Sequence, residues 1–336
     1  LAQSSKRFGK RSMLRLDASQ ADFAAAFTAL VNARREADSD VSRDVAAIIA
    51  RVRKDGDVAI AELTQQFDRH DLPWAIPLSD CQAALDGLDA ELRAALELAA
   101  DRIRTYHDKQ KPTDSDSMDS TGTRVGARWR GVDSAGAYVP GGRAAYPSSV
   151  LMNLIPAKVA GVERLVMVTP TPDGYANPLV LAAAALAGAD EVWRIGGAQA
   201  IAALAYGTDT ILPVDVITGP GNAWVAEAKR QVFGVVGIDM VAGPSEIVVV
   251  ADGANNPDWI AADLLSQAEH DPTSQSILFT DDAVFADAVA AAVETQLGQL
   301  STGETARTSW NDNGAIILVP SLDAALPLVD RLAPEH

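Results

Sequence analysis

RLVMVTPTPDGYANPLVLAAAALAGADEVWRIGGAQAIAALAYGT, residues 164–208, decides the fold class. Two short runs rich in β-branched and aromatic residues, RLVMV and EVW, each lead through glycine or proline into an alanine-rich stretch, PLVLAAAALAGA and then AQAIAALAYG. The first kind of run suits a pleated sheet and the second is a strong helix former. A strand followed by a helix and then another strand calls for parallel pairing, with helices covering both faces of the sheet. The pattern continues outward. VDVITGPGN (214–222) adds a strand and a glycine turn, and EIVVVAD, SILFT and AIILVP then alternate with NPDWIAADLLSQAEH and DAVFADAVAAAVETQLGQL as a second α/β block. Toward the N-terminus, residues 20–110 carry apolar positions at helical spacing, with Gly56 punctuating the run 41–68. PTDSDSMDSTG (112–122) reads as a polar, turn-rich break.

At 336 residues the chain suits two sizeable domains. The expected division is an arm at 1–29, a discontinuous α/β domain of 30–137 plus 246–336, and an inserted α/β domain at 138–245. The formal charge of −17, from 45 acidic against 28 basic side chains, argues against nucleic-acid binding, which needs a basic footprint. Cys81 is the single cysteine, so no intrachain disulfide and no cysteine-rich zinc site is expected, and a reducing, cytoplasmic compartment fits. The apolar stretches are too short to span a bilayer. The opening LAQSSKRFGKRSMLRLD is basic without a signal-peptide core and reads as a flexible arm.

Several stretches could carry chemistry. YVPGGRAAYPSSV offers Tyr138, Tyr146 and a Gly141-Gly142 turn, read equally well as a rigid connection or a binding loop. Gln199 and Asn222 fall just past predicted strands, where open α/β sheets bind ligands, although neither segment is a G-x-G-x-x-G fingerprint. Ser245 reads as a loop hydroxyl. In the helix begun by Asn256 and Pro257, Asp263, Gln267 and His270 recur at i, i+4 and i+7. Gln267 and His270 could meet one metal ion, but spacing alone favours a solvated polar face. His70 and His107 read as surface residues. Glu335 and His336 close the chain, a carboxylate beside an imidazole, the pairing that moves protons near neutral pH.

Taken in order, YVPGGRAAYPSSVLMN, GGAQAIAALAYGT, GPGNAWVAEAKRQV, DMVAGPSEIVVVAD, DLLSQAEHDP and the final APEH resemble histidinol dehydrogenases, from about Gln20 onward. The resemblance implies two incomplete Rossmann-like domains similar to those of aldehyde dehydrogenases, and an intertwined homodimer. It implies a zinc-dependent enzyme that oxidises L-histidinol to L-histidine through the aldehyde with two NAD⁺. Carried over by motif, Tyr138, Gln199 and Asn222 contact NAD⁺ and Ser245 contacts substrate. Gln267 and His270 bind zinc beside the substrate, and Glu335 with His336 forms the acid/base pair, His336 also meeting the substrate. The family's motif is followed by a further segment carrying an aspartate and a histidine for the metal, so weak zinc binding is expected of the residues given. Two alternatives stay open: oxidation of another small polar alcohol, and a catalytically incomplete binding fragment. A thiol-dependent aldehyde dehydrogenation is set aside, because Cys81 lies at a predicted helix start far from the α/β loops.

Overall fold

The computed structural model describes residues 12–33, 39–141, 146–241, 243 and 245–336. From the N-terminus the elements are β1 (Leu14–Asp17), α1 (Phe23–Ala33), α2 (Ser39–Phe67), α3 (Leu78–Asp86) and α4 (Ala90–Asp108). Then come β2 (Ser115–Met118), β3 (Arg124–Ala127), β4 (Ser134–Tyr138), α5 (Pro147–Ala160), β5 (Arg164–Val168), α6 (Pro178–Ala187), β6 (Glu191–Trp193) and α7 (Gly197–Tyr206). β7 (Val216–Thr218), α8 (Ala223–Val232), β8 (Gly237–Ile238), β9 (Glu246–Val250), α9 (Pro257–Ala268) and β10 (Gln275–Thr280) follow. The chain closes through α10 (Ala283–Leu297), α11 (Gly303–Asn313), β11 (Ala315–Leu318) and α12 (Leu322–Leu332).

These elements form two compact units, one of residues 38–242 and one of 1–37 with 243–336. The larger unit holds a parallel five-stranded sheet in the order β6-β5-β4-β7-β8. Strands are added to one side of β4 and then to the other, so the order reverses there, and such a reversal opens a crevice at the carboxyl ends of the strands. Side chains along β5 alternate between the two faces: Val166 and Val168 join one apolar cluster, Leu165 and Met167 the other. The first cluster takes Ile60 and Leu63 of α2, Ile201 and Leu204 of α7 and Val225 of α8. The second takes Cys81, Leu151, Leu154 and Val180 from α3, α5 and α6.

This packing groups the chain differently from the expected domains. The helices of 39–108 pack with the 134–241 sheet, because the apolar stripes of α2, α3 and α4 close its two faces. Gly56 does interrupt α2, at φ 51° and ψ −126°, a conformation open to glycine. The polar break is not structureless: β2 and β3 pair antiparallel, and Asp119 Oδ1 accepts the N–H groups of Thr121 and Thr123 at 2.8 and 2.9 Å to make the turn. Both strands are fully exposed, so no apolar alternation marked them.

The smaller unit has a parallel four-stranded sheet, β1-β11-β10-β9. Leu14 registers with Ala315 and α1 begins at Phe23, so the described part of the expected 1–29 arm holds a sheet strand and the start of a helix. Phe27, Ile277, Phe279 and Ile317 form one apolar cluster, and Leu264, Leu278, Val289 and Trp310 another. Fully burying each such side chain contributes about 1.5–3 kcal/mol, which fixes the register of strands that carry few other signals.

Candidate active site

In the larger unit Tyr138 ends β4, the strand at which the order reverses. It is buried, and its hydroxyl accepts the N–H of Gly197 at 3.2 Å, at the start of α7. Burial pushes its phenol up to about 12, so the group stays protonated at neutral pH. Gln199 sits in the first turn of α7 at 2% exposure, and its Oε1 has no hydrogen-bond partner among the described residues. A buried acceptor without a partner costs free energy unless something fills it. Asn222 caps α8, its Oδ1 accepting from Trp224 and Val225 at 3.1 and 3.2 Å. Asn222 itself is exposed. Three residues earlier Gly219 holds φ +107°, and a Cβ there would lie 2.1 Å from the Tyr138 carbonyl oxygen. The sequence-predicted residues Tyr138, Gln199 and Asn222 thus converge on the carboxyl edge of one sheet. Gly141 stands on that edge and Tyr146 is exposed at the start of α5, while Gly142 lies outside the described residues.

The smaller unit places its candidates at the amino edge. Ser245 is half-buried directly before β9, and its carbonyl accepts the N–H of Gln275, the first residue of β10, at 3.0 Å. Asn256 caps α9 by accepting from Asp258 at 2.9 Å, as expected of an Asn-Pro start. The far end of α9 differs from the expected polar face. Gln267 is 7% exposed, because it continues the buried stripe of Ile260 and Leu264 at helical spacing, while Asp263 is exposed. His270 lies past the helix end and is exposed, its N–H closing on the Gln267 carbonyl at 3.2 Å. The chain then leaves α12 through Ala333, at φ 48° and ψ 59°, and the His336 carbonyl accepts the N–H of Val248 at 3.0 Å. That bond docks the closing segment on the outer edge of β9, with the Glu335 and His336 side chains exposed. Ser245, Gln267, His270 and His336 therefore all attach around the β9 end of this sheet. Among the described residues no group of three or more His, Cys, Asp or Glu side chains could hold a metal.

Sequence reasoning missed several buried polar groups. His70, expected on the surface, is buried with Nε2 2.9 Å from Thr171 Oγ1. Asp68 beside it accepts the Thr171 N–H at 3.0 Å, and burial pushes its carboxyl up. The only signal was their position at a helix end, which composition alone reads as solvated. Cys81 is buried, and burial pushes its thiol up to about 11, the opposite of an activated nucleophile.

One parallel sheet with a strand-order reversal and polar groups at its carboxyl edge, and a second parallel sheet in the other unit, define a two-unit α/β protein of the doubly wound class. The model of the histidinol dehydrogenase family matches residues 31–336. The histidinol dehydrogenase of Zymomonas mobilis is 64% identical over 327 residues, 96% of this chain and 76% of that protein. That of Ruegeria pomeroyi is 62% identical over 324 residues, 96% of this chain and 75% of that protein. The crystal structure of the histidinol dehydrogenase from Elizabethkingia anophelis superimposes with a TM-score of 0.83 at 33% identity, covering 98% of this chain and 76% of that one. The chain belongs to the histidinol dehydrogenase family, oxidoreductases that act on histidinol.

Proposed function

We propose that the chain oxidises L-histidinol to L-histidine by four electrons, through histidinaldehyde, with two NAD⁺ as hydride acceptors and zinc beside the substrate. The observation that carries the nucleotide part is the carboxyl edge of the five-stranded sheet, where Gln199 offers a buried acceptor without a partner next to the Tyr138–Gly197 hydrogen bond. NAD⁺ bound there supplies hydride acceptance. Tyr138, kept protonated by burial, and the side-chain NH₂ of Asn222 orient it through hydrogen bonds.

At the other site the hydroxyl proton of histidinol must leave as the hydride departs, and the His336 imidazole takes it. The resulting aldehyde must add water before a second hydride can leave. As Glu335 takes the proton of that water, His336 returns its proton to the former aldehyde oxygen, and the neutral imidazole then takes a proton from the hydrate as the second hydride leaves. Ser245 gives the substrate a hydrogen bond. Gln267 and His270 are the residues that would hold zinc, which supplies Lewis-acid anchoring of a substrate nitrogen when bound. One amide oxygen and one imidazole nitrogen fit half of a four-coordinate shell.

A homodimer is supported by the exposed two-stranded hairpin β2–β3, which carries Met118 and Val125 outward and is marginal as an isolated pair. Cytoplasmic placement is supported by the single free thiol of Cys81.

The Glu335→Gln variant tests the division of labour. It is expected to convert histidinol to the aldehyde but to make histidine from the aldehyde about 10²–10⁴-fold more slowly. Histidine production from the aldehyde at the unaltered rate would overturn the assignment of Glu335. Comparing turnover of histidinol with that of other vicinal amino alcohols tests the substrate.

A further inference from the structure

Two charged groups in the larger unit take no part in the proposed chemistry. Lys229 on α8 is 2% exposed. Its Nζ donates to the carbonyl of Gly219 at 3.0 Å and to Oδ1 of Asp239. The other oxygen of Asp239, Oδ2, accepts the N–H of Gly219 at 2.8 Å. One ion pair thus holds both peptide groups that flank a single glycine. Taking an ammonium out of water is costly, and the cost is offset only by close partners. Here those partners are a carboxylate and the backbone of one turn.

That turn matters because of what it touches. Gly219 stands at φ +107°, a region that favours glycine, with no room for a Cβ against the Tyr138 carbonyl. Three residues on, Asn222 begins α8. The ion pair therefore sets where the Gly219–Asn222 turn lies against the end of β4, and so the spacing between Asn222 and Tyr138. Lys229 is buried and Asp239 is exposed just past the end of β8, and both hold the turn through the peptide groups of Gly219.

We propose that Lys229 and Asp239 are positioning residues for the dinucleotide: their ion pair clamps Gly219 and holds the α8 turn in register with Tyr138 for binding. This rests on the NAD⁺ reading of the crevice. A misplacement of about an ångström in a positioned contact costs on the order of 10²-fold in well-fitted sites, so a loss of about tenfold or more in NAD⁺ affinity is expected.

The test uses the full chain, with NAD⁺ titrated calorimetrically and thermal unfolding followed in parallel. Lys229→Met is compared with Arg164→Met, which removes the Arg164–Glu191 ion pair (Nε to Oε1 2.7 Å) at the opposite, amino end of the same sheet. The expected result is an NAD⁺ dissociation constant raised at least tenfold in folded Lys229→Met and unchanged in Arg164→Met. In turnover, the KM for NAD⁺ rises while the KM for histidinol holds. Should Lys229→Met fail to fold, Asp239→Asn carries the same expectation, since it keeps an acceptor for Gly219 and removes the charge that holds the lysine. Unchanged affinity in a folded variant overturns the proposal. So does a loss that Arg164→Met shares in proportion to lost stability, which marks a merely structural role. No NAD⁺ binding by the unaltered chain overturns the nucleotide reading itself, and this proposal with it.

Discussion

The two sheets hold their candidate residues in opposite ways. In the larger unit Tyr138 and Gln199 are buried at the carboxyl edge, and Asn222 and Gly219 are tied down by hydrogen bonds to their surroundings. In the smaller unit the side chains of His270, Glu335 and His336 are exposed and have no partner among the described residues, while backbone bonds tie the N–H of His270 and the carbonyl of His336. A surface that recognises a large, invariant cofactor gains from rigidity, because less order has to be imposed on binding. Groups that exchange protons need their lone pairs uncommitted.

The largest effect that would sharpen this contrast lies on the exposed side. His336→Asn is expected to lower histidinol turnover about 10²–10⁴-fold while leaving thermal unfolding unchanged, since only a backbone carbonyl of that residue is used in the fold. A fall in stability as large as a core deletion would show that the side chain is structural after all. Next, Gly219→Ala forces a Cβ into the Tyr138 carbonyl at a left-handed φ, so a loss of about 1–3 kcal/mol in stability is expected, together with weaker NAD⁺ binding. Chemical denaturation reads the first and calorimetry the second.

Acid acts on the larger unit too. Hydrogen bonds from Arg230, with those of Gln231 and Ser42, hold the Glu227 carboxyl on α8 at about 2, below its ordinary 4.5. A depressed folded-state value stabilises the protein above the unfolded value and is lost as pH falls. Glu227 thus contributes fully above about 4.5 and progressively less down to about 2. Glu227→Gln is expected to flatten the pH dependence of stability across that window; a curve unchanged by the substitution would remove the carboxylate from the account.

Smaller effects separate the two units by sign. Asn222→Ala removes a cap with two hydrogen bonds and is expected to cost about 1 kcal/mol. Ala333→Gly, in the turn that sends the closing segment toward β9, relieves a left-handed alanine and is expected to stabilise by about 0.5–1 kcal/mol. A destabilising Ala333→Gly would mean that the turn is rigid for another reason.

Much of this was legible in the residues. The strand and helix runs of 164–208 and 246–320 are local patterns, and Asn256-Pro257 started its helix where capping chemistry said it would. The positions of Gln199 and Asn222 just past strands were legible because strand-to-helix turns in parallel sheets face a common edge, whereas the stretch of Tyr138 read equally well as a rigid connection. Gln267 was misread as part of a polar face with Asp263 and His270, since residue type outweighed the helical stripe it shares with Leu264. The hairpin β2–β3 left no trace because neither of its faces is buried.

By itself the sequence determined the doubly wound α/β class, the Asn256 cap and the family, because these follow from short-range patterns and contiguous motifs. Tertiary structure alone decided that α2–α4 close the larger sheet, that His70 and Gln267 are buried, and that Lys229 and Asp239 clamp Gly219 against Tyr138. The reason is physical. Burial and ion pairing depend on which distant segments meet, and Gly219 lies eighty-one residues from Tyr138 and twenty from Asp239.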